Sequence, residues 1–191
     1  MMIAAMMVAA ISANAQNEVG QVTLKPTAGI NISTVTNSNG NKSKVGFIGG
    51  FDFEYGVAEN FGLTAGVFYS MQGDKADVAL DGGTTSTVTE KLEYINIPIL
   101  AQYYVIPGLA IKAGVQPGFL VKAKDGDTDI KSGCNKVNLA IPVGISYEYQ
   151  SFVLDARYNI GLTKVYKSDF VGDRSCRNSV FSITLGYKFA L

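Results

Sequence analysis

From Val22 to the C-terminus the chain repeats one pattern: a segment of about 10–14 residues with alternating apolar and polar side chains, then a break. Eight such segments can be read, at 22–33, 45–57, 61–73, 92–105, 109–122, 137–149, 152–163 and 179–191. In the last, Phe181, Ile183, Leu185, Tyr187, Phe189 and Leu191 share one face, against Ser182, Thr184, Gly186, Lys188 and Ala190. In the seventh, Phe152, Leu154, Ala156, Tyr158, Ile160 and Leu162 oppose Val153, Asp155, Arg157, Asn159, Gly161 and Thr163. A period of two means strand, because successive side chains of a strand point to opposite faces. No helical spacing of comparable length competes with it.

Alternation over a dozen residues makes an apolar face taller than a soluble sandwich needs. It suits strands that cross a hydrocarbon layer, which takes about 9–11 tilted residues. The polar faces carry Lys25, Asp52, Glu54, Lys112, Glu148, Asp155, Arg157 and Lys188. A Lys or Arg turned to lipid at the midplane costs roughly 2–4 kcal/mol, so these charges are expected inside, neutralising one another as a lumen network. The breaks near 57–60, 106–108 and 149–151 are tight, whereas those near 34–44, 74–91, 123–136 and 164–178 are long and polar. Short turns at one end and long loops at the other are the asymmetry of outer-membrane barrels. The expected fold is therefore all-β, an eight-stranded antiparallel up-and-down transmembrane β-barrel with both termini on the short-turn, periplasmic side.

Composition sharpens this picture. The 191 residues suit one domain, and 16 basic against 16 acidic residues leave no electrostatic footprint for nucleic acid. The charged fraction is 17%, below the ~25% usual for soluble domains. Beyond the N-terminus no apolar run approaches the ~20 residues of a membrane-spanning helix. Met1 to Ile11 is small and apolar, and Ala13-Asn14-Ala15 is an A-x-A cleavage site, so a signal peptide is expected over 1–15 and the barrel domain over 16–191. The positive charge that should open such a peptide is missing, the first Lys being Lys25. Cys134 and Cys176 fall in the third and fourth long loops, where a disulfide or two thiols are both open. Pro98, Pro117 and Pro142 lie inside expected strands, where bulges would have to absorb them. Glu93 falls on the lipid-facing parity and is tolerable only beyond the hydrocarbon band.

The C-terminal half also resembles a known family. Tyr94-Ile95-Asn96-Ile97-Pro98-Ile99-Leu100, Gly108-Leu109-Ala110-Ile111-Lys112-Ala113-Gly114, Leu154 to Leu162 and Ser182 to Phe189 are similar to successive strands of PorT-like outer-membrane β-barrels. The resemblance implies an outer-membrane barrel and makes Pro98 a family feature. It does not imply one activity. Here Ala190-Leu191 follow Phe189, whereas many barrels end on an aromatic residue.

Candidate chemistry is sparse. With no histidine, Ser-His-Asp, Cys-His and His-based zinc chemistry are removed, and two cysteines alone do not complete a structural zinc site. Asp155 and Arg157 share a strand face and read as a lumen salt bridge. Asp125-Gly126-Asp127-Thr128-Asp129 alternates carboxylates but lacks the distal Glu and spacing of a calcium loop, so no metal and no cofactor are expected. An eight-stranded interior is just filled by side chains, which argues against a wide channel. A narrow pore and a soluble lipocalin-like carrier of reversed parity remain as alternatives. The reading adopted is a non-enzymatic barrel of the bacterial outer membrane, in contact with its lipid. Its role would be structural, adhesive or partner-binding, through long loops facing an extracellular or envelope protein.

Overall fold

The computed structural model describes residues 18–36, 41–79, 85–166 and 176–191. The expected signal peptide, 1–15, lies outside them. Among the described residues twelve strands form, in order β1 (Val22–Val35), β2 (Asn41–Ala58), β3 (Phe61–Gln72), β4 (Asp74–Ala79), β5 (Thr85–Asn96), β6 (Ile99–Ile106), β7 (Leu109–Asp125), β8 (Thr128–Asp129), β9 (Val137–Tyr149), β10 (Phe152–Lys164), β11 (Arg177–Tyr187) and β12 (Phe189–Ala190). All pair antiparallel, and β1 closes on β11 from Thr27↔Gly186 to Val35↔Asn178. A closed sheet leaves no edge to aggregate.

The ring runs β11-β10-β9-β7-β6-β3-β5-β4-β2-β1, so it contains ten strands, which corrects the expected eight. Two features account for the difference. The segment expected at 92–105 is divided, because Ile97 and Pro98 drop out of the ladder between β5 and β6. Proline has no N–H to give the ladder. Both halves pair with β3 on one side and β7 on the other. The stretch after residue 73, expected as loop, forms an additional hairpin in which β4 pairs with β2 and β5. By sequence the stretch mixes the strand formers Thr and Val with Asp, Lys, Gly and Ser, and its alternation is too short to signal a strand. The two-residue strands β8 and β12 stand off this ring, pairing with β7 and β1.

The other two prolines are held without a register shift. Pro117 stays in β7 opposite Leu139, and its carbonyl accepts the Ile97 N–H at 2.8 Å. The β7–β9 ladder lapses between Ala113↔Val143 and Gln116↔Ala140, the interval that contains Gly114 and Pro142. The shifts that mark bulges lie elsewhere, at Gly56/Ala58, Glu93/Tyr94, Tyr104/Ile106 and Ile160/Lys164. Strong curvature also brings backbones close. A Cβ on Gly50 would sit 2.1 Å from the Val67 carbonyl oxygen, and one on Gly114 2.0 Å from that of Ile99.

Side-chain burial runs opposite to that of a soluble protein. Phe47 is 49% exposed, Ile183 40% and Leu185 55%, whereas Asp52 and Asp155 are each 1% exposed. A large contiguous apolar exterior around a charged interior is the arrangement that lipid selects. It turns the apolar faces outward, against the parity that a lipocalin-like carrier requires. The exterior is bounded at the short-turn end by Tyr55, Tyr103, Tyr147 and Tyr149. Such aromatic side chains suit the membrane–water boundary.

Candidate functional site

The alternation that sends Phe and Ile outward sends the polar residues of the long strands to one axis, and they stack there in layers. Nearest the short turns, Lys188 Nζ lies 2.9 Å from Glu148 Oε2 and 3.4 Å from Glu54 Oε2. The Tyr104 hydroxyl and Gln102 Nε2 donate to Glu54 Oε1 at 2.7 and 2.8 Å. In the adjoining layer Lys112 Nζ meets Asp155 Oδ2 at 2.7 Å, and Arg157 Nε donates to Asp155 Oδ1 at 2.8 Å. Arg157 Nη2 reaches Asp52 Oδ2 at 2.9 Å, and Lys25 Nζ lies 3.3 Å from Asp52 and 3.9 Å from Asp155.

The structure thus brings all eight expected lumen charges together. One layer holds Lys25, Lys112 and Arg157 against Asp52 and Asp155; the other holds Lys188 against Glu54 and Glu148. The first has a cation in excess and the second a carboxylate, so the two layers offset each other. In a low-dielectric interior, removing one member costs most where it leaves the remaining charges of its layer uncompensated.

Toward the long loops the lumen becomes neutral. Asn31 Nδ2 and Gln72 Nε2 both donate to Ser70 Oγ, at 2.8 and 2.9 Å. Asn178 Nδ2 donates to Gln72 Oε1 at 3.1 Å. Phe68 lies beneath, with the Arg157 guanidinium 5.6 Å from its ring centre. A small residual cavity between these groups is lined by Phe68, Gln116, Arg157 and Asn159. Above it Leu92, Tyr94, Leu120, Ala123, Cys134 and Val165 pack into a buried apolar cluster, with Ile130 and Tyr166 against it. The alternation of the strands did not by itself single out this cap. Its signal was the run of large apolar residues on inward parity at the outer strand ends.

Cys134 and Cys176, both buried, flank one segment: Cys134 bridges Tyr166, and the Cys176 carbonyl accepts the Val165 N–H at 2.8 Å. Glu93 lies at the outer limit of the apolar band, where it accepts from the Tyr69 hydroxyl at 2.7 Å and meets Lys122 at 3.4 Å. The run from Asp125 to Asp129 is a tight turn: Gly126 has φ +57°, Asp125 pairs with Thr128, and Asp129 Oδ1 accepts the Lys131 N–H at 2.8 Å. No group of three carboxylate or thiol ligands suited to a metal occurs among the described residues.

Beyond the band a carboxylate cluster closes the mouth. Glu90 of β5 faces Asp74 of β4 and Asp125 of β7, accepts the Tyr166 hydroxyl, and has Lys44 of β2 nearby, bound to its backbone carbonyl at 3.1 Å. Burial first, and then Asp74 and Asp125, push the Glu90 carboxyl up to about 7. A carboxyl raised in the folded state favours its protonated form, so its stabilising effect is complete below about pH 4.3. That effect is lost as pH rises through 7. Protection of the amides around Tyr166, corrected for the base catalysis of exchange itself, is therefore expected to fall between pH 5 and 8, and Glu90→Gln to flatten that fall. Equal pH slopes in both proteins would contradict it.

Residues 14–167 match the outer membrane protein beta-barrel domain family. The chain belongs to this family. As a member of it, the protein is located in the bacterial outer membrane and its apolar exterior contacts lipid. The match is to the broad domain and does not single out the PorT-like branch. No curated protein sequence matches the chain significantly. Among solved structures, the attachment invasion locus protein Ail of Yersinia pestis aligns with TM-score 0.54 at 16% identity, over 90% of this chain and 100% of Ail. Neisserial surface protein A aligns with TM-score 0.54 at 18% identity, over 88% of this chain and 97% of its own. At these identities the likeness is one of fold.

Proposed function

We propose that this outer-membrane barrel is non-enzymatic and non-conducting, and that it acts structurally or as a binding surface through its outer loops. The observation that carries this reading is the occupied lumen: two ion-pair layers, an amide layer and an apolar cap follow one another from the short turns to the loops. A filled interior leaves function to the outer surface, where loops on a rigid scaffold are the usual seat of recognition. The absence of histidine supports the non-enzymatic part, and the strand motifs around Tyr94–Leu100 and Leu154–Leu162 support a PorT-like relationship. Ail, a barrel of similar fold, carries the name attachment invasion locus protein, which fits a role at the cell surface. An extracellular or envelope protein is the partner class proposed here.

Maturation completes the reading. Cleavage after Ala15 releases the barrel domain, and pairing of Cys134 with Cys176 after export ties the third loop to the fourth. Intact-mass measurement on protein from outer membranes is expected to show loss of residues 1–15 and a mass two hydrogens below the dithiol. An uncleaved chain, or two thiols open to alkylation after denaturation, would overturn the respective point.

Loop shortening tests the function itself. Replacing 126–136 and 165–176 by short turns is expected to keep the barrel in the outer membrane with a boiling-dependent gel shift. The same protein should fail to restore surface attachment or envelope integrity to a deletion strain. Full restoration by the shortened barrel would refute a role through the loops.

A further inference from the structure

Just beyond the apolar band, β5 and β7 sort their charges by face. Glu90 and Asp125 oppose each other on inward parity, in the mouth cluster. One residue along, Lys91 opposes Lys124 on outward parity, and Lys122 follows opposite Glu93. Lys131 adjoins them, its Nζ donating to the Val121 carbonyl at 2.8 Å. Carboxylates stand among these four lysines too, with Asp127 exposed on the turn between β7 and β8. Glu93 is engaged by Tyr69 and Lys122, and Asp129 lies opposite Lys124 on β8. A second basic pair, Lys164 opposite Arg177, stands at the same long-loop end, where β10 finishes and β11 begins. At the other end of the band the described outward positions hold Tyr55, Tyr103, Tyr147, Tyr149 and Phe152, with no Lys or Arg among them.

Like charges directly opposed across a strand pair destabilise it. Among the described residues the opposed basic pairs Lys91/Lys124 and Lys164/Arg177 lie at one end of the barrel and face away from its interior, the first immediately above exposed Phe119 and Val121. Lysines in that position extend long stems along apolar surface and place their ammonium groups at headgroup level.

We propose that Lys91, Lys122, Lys124 and Lys131 form a binding surface for the phosphate groups of a phosphorylated glycolipid of the outer leaflet. Phosphate monoesters on a sugar headgroup carry about −1.5 to −2 charges each, against −1 for a phospholipid diester. Two of them on one rigid headgroup match lysines spread over neighbouring strands better than a single diester does. Acyl chains of the same lipid would lie on Phe119 and Val121. The assignment rests on the membrane placement of the barrel and adds a partner to its outer rim.

The test uses the full chain refolded in a neutral detergent and titrated with a bis-phosphorylated glycolipid, bound lipid being counted by native mass spectrometry. Wild type is expected to bind it, and Lys91→Gln/Lys124→Gln/Lys131→Gln to bind at least tenfold more weakly. The corresponding triple Arg variant should retain binding, and the dephosphorylated glycolipid should bind wild type at least tenfold more weakly. Equal binding by wild type and the Gln variant, or equal binding of the dephosphorylated lipid, would overturn the proposal. Phosphatidylglycerol bound as tightly as the glycolipid would overturn the choice of occupant. A boiling-dependent gel shift, read on every variant, separates failure of this surface from failure of the barrel itself.

Discussion

Asp155→Ala is expected to destabilise the barrel by about 3–5 kcal/mol, the scale seen when one member of a buried ion-pair network is removed. Asp155 receives Lys112 at 2.7 Å and Arg157 at 2.8 Å, with Lys25 at 3.9 Å. Without it, three cations remain in that layer against Asp52 alone. Arg157→Met leaves Lys25 and Lys112 against Asp52 and Asp155, a balanced set, and should cost less. Removing Lys112 together with Asp155 should recover part of the loss, because the group left unmatched by Asp155→Ala is then gone. Denaturant unfolding in micelles, followed by the gel shift, measures all three. A loss below about 0.5 kcal/mol for Asp155→Ala, the scale of an ordinary surface change, would contradict a coupled lumen network.

The second large effect belongs to the exterior. Ile183 stands midway along β11, between Ile30 of β1 and Ala156 of β10, and is 40% exposed. Ile183→Arg is expected to cost about 2–4 kcal/mol in lipid vesicles, against about 0–1 kcal/mol for Val137→Arg at the outer end of the band. Such depth dependence is a property of a surrounding hydrocarbon layer, since both positions are outward and comparably exposed. Equal costs at the two positions would mean that the band does not sit where the apolar exterior places it.

The period-two pattern carried the all-β class, the outward parity and the inward placement of the eight lumen charges, because each follows from one local rule. The strand count did not follow from that rule. Pro98 breaks the ladder inside a segment whose alternation runs on unbroken, from Tyr94 to Tyr104. The segment that pairs as β4 and the start of β5 shows no sustained alternation in the sequence, so its pairing depends on neighbours that periodicity does not report. Pairing across the barrel was equally hidden. Arg157 finds Asp52 at a separation of 105 residues, and no spacing along the chain encodes that contact. The mouth is the clearest case. Leu92, Leu120 and Val165 look unremarkable one by one, and only closure of the ring makes them a cap.

A lumen filled by ion-pair layers and an apolar cap is expected to leave no path through the barrel, and single-channel recording in planar bilayers tests this most directly. Wild type, inserted from outer-membrane extracts, is predicted to show no discrete conductance above the bilayer baseline at moderate voltages. Steady, reproducible openings that scale with the amount of inserted protein would contradict it. They would mean that the ion-pair layers and the apolar cap part in the membrane, and that the lumen, not the loops, is the working part.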